Sequence, residues 1–186
     1  MVLRLMTGIK GSGKTCYTTA LLCESYRQGR TVYANYHLRF PYTPLNMDQI
    51  IEDMENLQNV AIAIDEAQIY FDCRLSASKQ NRLFSYLMLQ SRKRNVDINM
   101  TSQQLFNVDI RIRRNLDYLY ECVPMVEVAP GRYRRATVEE IEGRVIDKIF
   151  IRETNYSQEA VRSFLFDPKP YFPLYDSDEI CDITTK

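Results

Sequence analysis

The 186-residue sequence predicts an α/β protein, a three-layer sandwich around a mainly parallel central sheet with a C-terminal β-hairpin and an extended tail. Three observations lead there. Short apolar segments alternate with segments of helical period, the pattern of βαβ units. A glycine-rich turn, Gly8-Ile9-Lys10-Gly11-Ser12-Gly13-Lys14-Thr15, joins the first strand to the first helix. Val60-Ala61-Ile62-Ala63-Ile64 is an unbroken apolar run, as expected of a strand covered on both faces.

The elements follow in order. Residues 2–7 form the first strand, and 15–27 the first helix, with Ala20, Leu21, Leu22 and Tyr26 in helical spacing and Gly29 as its stop. Residues 31–34 read as a second strand, the proline-rich stretch after Arg39 as a loop, and 47–57 as a helix with Ile50, Ile51 and Met54 on one side. The apolar strand 60–64 comes next, then a helix over 78–90 through Leu83, Phe84, Leu87 and Met88. Residues 96–101 and 116–123 read as further strands, 125–138 as a hairpin turning at Pro130-Gly131, and 144–151 as another strand. The expected organisation is a core over 1–123, a hairpin and strand extension over 124–154, and a tail over 155–186 that wraps the core or reaches a neighbour.

Composition excludes several classes. Apolar residues make up 45% and charged residues 26%, so wholesale disorder is not expected. The 24 basic and 24 acidic side chains cancel, so any nucleic-acid contact must come from a local patch rather than a global field. No apolar run approaches the ~20 residues that span a bilayer. The first residues lack the apolar stretch and cleavage site of a secretory signal, which makes a cytoplasmic protein the expectation. The five cysteines are dispersed without a C-x-x-C pair and there is one histidine, so zinc chemistry is not expected.

Gly8 to Thr15 fits G-x-x-x-x-G-K-[ST] at every required position. In such a phosphate loop the glycines let successive N–H groups turn inward on phosphate, and the following helix adds the field of its positive end. Lys14 would reach the β- and γ-phosphates and Thr15 would ligate Mg2+, so Gly8, Ile9, Lys10, Gly11, Ser12, Gly13, Lys14, Thr15 and Cys16 are the candidate ATP-binding residues. Asp65-Glu66 ends the apolar strand at the sheet edge where ligands bind in open α/β sheets. Asp65 is the candidate magnesium anchor with Thr15, and Glu66 the candidate base for an attacking water. Gln103 follows strand 96–101 and would stand beside the γ-phosphate if that strand lies between the first and the third.

Basic residues gather at Arg92, Lys93, Arg94, Arg111, Arg113 and Arg114, and again at Arg132, Arg134 and Arg135. Three roles stay open for them: a finger on a neighbouring subunit's ATP, contacts to DNA phosphates, or solvated faces. The tyrosines are numerous, 13 against no tryptophan, and packing with the hydroxyl in water is their expected role.

The order Asp65-Glu66, then Ser91 through Ile98 with its Arg92-Lys93-Arg94, then Thr101-Ser102-Gln103-Gln104, resembles the FtsK/HerA superfamily of P-loop NTPases. It looks most like their viral genome-packaging and Zot-like branch. Val108 to Arg113 and the closing Tyr171 to Asp176 are similar to that branch as well. The resemblance implies the additional-strand, catalytic-Glu type of P-loop NTPase, with Glu66 as base, Gln103 as sensor and Arg92 or Arg94 as trans-acting finger, Arg74 and Arg113 behind them. It further implies ATP and Mg2+ as cofactors, double-stranded DNA as partner, self-association into a hexameric ring, and contact with capsid or virion membrane proteins. The sequence lacks the hydrophobic anchor of the Zot-like proteins, which favours a cytoplasmic or virion-associated packaging motor, or else a chain truncated before an anchor. An ATPase for filamentous virus assembly or export is the alternative. A small P-loop kinase and a nucleotide-dependent switch are less favoured, because Glu66 and Gln103 suit water as phosphoryl acceptor.

Overall fold

A computed structural model describes residues 2–46, 57–71, 94–155 and 159–176. Its centre is one mixed sheet. The strands are β1 (Leu3–Thr7), β2 (Thr31–Ala34), β3 (Thr43–Pro44), β4 (Val60–Ile64), β5 (Val96–Ser102), β6 (Tyr118–Ala129), β7 (Arg132–Arg135), β8 (Lys148–Asn155) and β9 (Ala160–Phe166). They run side by side as β3-β2-β4-β5-β1-β6-β8-β9, with β7 paired to β6. From β3 to β6 every pairing is parallel, and the pairs beyond β6 are antiparallel. β5 therefore lies between β1 and β4, the condition on which the placement of Gln103 depended.

Side-chain size on β4 explains how helix α1 (Lys14–Arg27) settles on the sheet. Ala61 and Ala63 point toward Leu22 of α1, together with Val32 and Ala34 of β2, and the small side chains let the helix come close. The alternate residues Ile62 and Ile64 point to the other face, into a core with Leu3, Leu5, Ile98, Met100, Phe71 and Leu116. Every residue of β4 is buried, as its unbroken apolar run requires. Part of that second face is covered by Val108 and Ile112, the latter from the short helix α2 (Ile110–Arg113). The helices expected over 47–57 and 78–90 lie, apart from Leu57, outside the described residues.

The C-terminal third departs from the sequence-based expectation in three places. The strand expected to stop at Val123 continues through Pro124 to Ala129. Pro124 carbonyl accepts from Ala136 N at 2.9 Å, so the missing N–H lies on the same side, past the end of β1. The proline thus removes no bond from the β8 ladder. Next, residues 144–147 are not strand. A five-residue helix, α3 (Val138–Glu142), precedes them, started by a capping box between Thr137 and Glu140. Its end passes through Gly143 and Arg144, the latter at φ 57°, and β8 begins at Lys148. The third departure is in the tail, where Ala160–Phe166 adds an edge strand to β8. Beyond it the chain crosses over α1. Cys16 Sγ contacts Pro168 carbonyl at 3.7 Å, Leu38 bridges to Tyr175, and Arg39 N donates to Leu174 carbonyl at 2.8 Å. Among the described residues no helix is long and apolar enough to cross a membrane.

Candidate active site

The phosphate loop rises from the C-terminal end of β1. Its curl needs residues without Cβ atoms: Gly11 and Gly13 take φ of 75° and 87°. At Gly8 a Cβ would come 2.6 Å from Cys122 carbonyl on the neighbouring β6, a backbone atom that has little room to give. Helix α1 then begins with no side-chain cap and no acid in its first turn. Its leading N–H groups and positive end are left to whatever anion binds there. Ser12 is buried and its hydroxyl has no hydrogen-bond partner among the described residues, a polar atom suited to a phosphate oxygen.

Lys14 lies within this curl, buried, with its ammonium donating at 3.0 Å to both Gly8 and Ile9 carbonyls. Burial pulls its pKa down, opposed by the charges of Glu66 and Asp65. Thr15 hydroxyl lies 3.1 and 3.2 Å from the two Asp65 carboxylate oxygens. The topology thus brings together residues half a hundred positions apart, because β1 and β4 end at the same sheet edge with β5 between them.

Asp65 and Glu66 are held by two residues that the sequence did not single out as site residues. Asn35, just past β2, accepts from Asp65 N at 2.7 Å and donates to Asp65 carbonyl at 3.0 Å. Thr101, near the end of β5, donates to Asp65 Oδ1 and accepts from Glu66 N at 2.9 Å. Burial pushes the Asp65 carboxyl above the ordinary aspartate range, opposed most by the Thr101 hydrogen bond. Glu66 sits in the left-handed region at φ 49°, a conformation that costs a non-glycine residue on the order of 1–2 kcal/mol. Its carboxylate accepts from Gln68 Nε2. Thr101 opens the segment Thr101-Ser102-Gln103-Gln104 singled out in the sequence, but only the pairing of β4 with β5 shows which carboxylate it meets.

One hydroxyl and one carboxylate are the oxygen donors that suit magnesium, which keeps several of its ligands from water and phosphate. Thr15 and Asp65 fit that role. Among the described residues no cluster of three or more histidine, cysteine or acidic side chains offers a different metal site.

The remaining candidates fall elsewhere. Gln103 stands exposed immediately after β5, on the same sheet edge as the phosphate loop and Glu66. Cys16 is buried, its thiol pushed up to about 12 by burial and turned under the tail. Arg92 and Arg74 lie outside the described residues. Arg94 precedes β5 and so stands at the edge opposite the chain's own phosphate loop, its carbonyl accepting from Asn59 N. Arg111 and Arg113 are committed within the chain. Arg111 pairs with Asp109 at 3.3 Å, while Arg113 donates to Val108 carbonyl and lies 5.2 Å from the centre of the Phe106 ring. On β7, Arg134 pairs with Glu140, whereas Arg132 and Arg135 are exposed.

Neither a protein-family model nor a curated protein sequence matches the chain. Solved structures do. The N-terminal domain of zonular occludens toxin from Neisseria meningitidis aligns over 94% of this chain and 98% of its own, with TM-score 0.66 and 20% identity. The genome-packaging NTPase B204 of Sulfolobus turreted icosahedral virus 2, solved with ATP-gammaS, aligns over 90% and 97%, with TM-score 0.55 and 13% identity. The conjugation coupling protein TcpA of pCW3 aligns over 92% of this chain and 62% of its own, with TM-score 0.55 and 13% identity. The chain has the P-loop NTPase fold that these proteins share.

Proposed function

We propose that this chain is a magnesium-dependent ATPase that translocates double-stranded DNA, packaging a viral genome into a particle. The observation that carries the ATPase part is the convergence of Lys14, Thr15, Asp65 and Glu66 at one sheet edge, with Thr101 of the interposed β5 bonded to both acidic residues. The fold shared with a genome-packaging NTPase supports the DNA part.

In this reading the backbone of Gly8 to Thr15 and the N–H of Cys16 cradle the phosphates of ATP. Lys14 exchanges its two carbonyl partners for the β- and γ-phosphates. Magnesium, bound through Thr15 and Asp65, would offset charge on those phosphates. Glu66, fixed by Thr101 at its N–H and joined to Gln68 at its carboxylate, orients a water and accepts its proton as the oxygen attacks the γ-phosphorus. The bond to the β–γ bridging oxygen breaks, and ADP leaves with that electron pair. Gln103 reads whether the γ-phosphate is present. In a hexameric ring Arg94, on the far edge, or Arg92 would serve a neighbouring subunit's ATP rather than its own. The ring would act in the host cytoplasm or on the virion, against capsid or virion membrane proteins.

A second reading is an ATPase for filamentous virus assembly or export. The fuller match to the zonular occludens toxin domain, at TM-score 0.66, favours it. Steady-state ATP hydrolysis with and without double-stranded DNA, across protein concentrations that span ring assembly, separates the two. Stimulation by DNA, with activity rising faster than linearly in protein, supports the packaging motor. Turnover indifferent to DNA supports assembly or export. No ATP turnover under any condition rejects the ATPase reading, whereas unimpaired turnover in Glu66→Gln moves the base to another residue.

A further inference from the structure

The tip of the phosphate loop rests on a residue from the far end of the chain. A Cβ placed on Gly11 would come 2.5 Å from Ile141 Cγ2, and among the described residues beyond its chain neighbours it would meet only Ile141 within 4 Å. The loop is pressed from beneath as well, since a Cβ on Gly13 would collide with Ile149 Cδ1 of β8. Gly11 therefore has two properties at once. It adopts a left-handed conformation at φ 75°, and its bare Cα face is what lets the Ile141 side chain seat there.

Ile141 belongs to α3, and a five-residue helix has no stability of its own. It is fastened from both sides. Ahead of it, the Arg134 guanidinium on β7 reaches the two Glu140 carboxylate oxygens at 2.6 and 2.8 Å, and Glu140 also accepts from Thr137 N at 2.8 Å. Behind it, Asp147 N donates to Met125 carbonyl at 3.0 Å, while Asp147 Oδ2 accepts from Glu127 N at 3.0 Å. Both tethers lead to the β6–β7 hairpin. The segment 137–147 is thus a strut that starts on the hairpin, meets the phosphate loop at Gly11 through Ile141 and returns to the sheet.

We propose that Ile141 is a positioning residue for the phosphate loop, holding Gly11 in its phosphate-binding curl, and that the Arg134–Glu140 pair sets Ile141 in place. The inference rests on the ATPase reading above. A loop of three glycines in eight residues has many open conformations, and each one populated lowers the fraction competent to bind phosphate. Ile141 removes the conformations in which the tip lifts toward α3. Arg134 acts at one remove, by fixing the helix that carries Ile141.

The test is equilibrium binding of ATP-gammaS to the wild-type chain and to I141A, I141V and R134A, each well below its own melting temperature. Roughly 3- to 30-fold weaker binding is expected for I141A, the range seen when a coupled packing contact is removed. I141V, which keeps a branched side chain over Gly11, should bind nearly as the wild type does. R134A should fall between. In steady state the loss should appear in KM far more than in kcat, a split that a general loss of stability would not produce. Wild-type affinity in both I141A and R134A overturns the inference. Where I141A does not fold, R134A decides alone, because the bonds it removes, to Glu140 and to the Arg135 carbonyl, are exposed. A wild-type chain that does not bind ATP-gammaS rejects the ATPase reading and this inference with it, whereas wild-type binding with unchanged variants rejects the inference only.

Discussion

Two aspartates lie at opposite edges of the same sheet, and their surroundings differ in kind. Asp97, at the start of β5, accepts from Val2 N at 2.7 Å and from Arg30 at 2.7 Å, with Arg4 at 3.6 Å. Burial would raise its carboxyl, but the Arg30 hydrogen bond and charge, with Arg4 adding to them, hold it below the ordinary aspartate range. Asp65, at the end of β4, has hydroxyls from Thr15 and Thr101 in place of a guanidinium, and burial leaves its carboxyl above that range. A buried acid with its countercharge in place ties a fold together. A buried acid that has only hydroxyl donors is suited to receive a cation from outside.

Substituting each aspartate by asparagine breaks the comparison most directly. Asp65→Asn should reduce ATP hydrolysis at least ~10²-fold, as expected for loss of a metal anchor, with the melting temperature held or raised. Asp97→Asn should do the reverse. Losing hydrogen bonds to charged partners costs about 2 kcal/mol, or ~4–8 °C for a chain of this size, with turnover per folded molecule unchanged. Equal loss of turnover in both variants would show that the contrast in surroundings has no functional meaning.

The same contrast has a pH signature. Because the folded-state pKa of Asp97 lies below its unfolded value, its contribution to stability is present above the unfolded pKa, near 3.9. That contribution is lost as pH falls through the lower, folded value. Thermal melts from pH 6 to pH 3 should therefore show a fall in melting temperature that is shallower in Asp97→Asn. Parallel curves for variant and wild type would contradict the ion-pair assignment.

Asn35 sharpens the comparison from the side of the functional edge. Its two bonds bracket the Asp65 backbone, so Asn35→Ala should cost about 1–2 kcal/mol of stability and lower hydrolysis about tenfold while ATP remains bound. Nothing in the sequence marks Asn35 as a partner of Asp65. The phosphate loop and Asp65-Glu66 were legible because their chemistry resides in contiguous residues. The placement of β5 was legible as a condition on Gln103. Asn35, Thr101 and Ile141 were not, because each acts through a contact made only when distant strands or helices meet. The helix that carries Ile141 did have a local signal, Thr137-x-x-Glu140, in a segment otherwise expected to lead into a strand.

Backbone strain at the two edges gives the smallest and most discriminating test. Glu66 takes φ 49° at the functional edge, and Asn59 takes φ 54° at the other. Asparagine enters the left-handed region readily because its short amide can bond locally, and Asn59 Oδ1 also accepts from the distant Asn95 Nδ2 at 2.9 Å. Glutamate does not enter this region routinely, and the Glu66 carboxylate bonds to Gln68 rather than to backbone. Replacing either residue by glycine relieves strain but adds about 0.5–1 kcal/mol of unfolded-state entropy. For Asn59→Gly the strain relieved is small and an exposed hydrogen bond goes, so stability should fall by about 0.5–1 kcal/mol. For Glu66→Gly the relief of about 1–2 kcal/mol exceeds the entropy term, so stability should rise slightly while hydrolysis stops. Opposite signs in two denaturant titrations would show that the strain at Glu66 is held for chemistry, while that at Asn59 is an inexpensive turn. Equal signs would mean that the left-handed glutamate is no more costly than any other turn residue, and its conformation would then say nothing about its role.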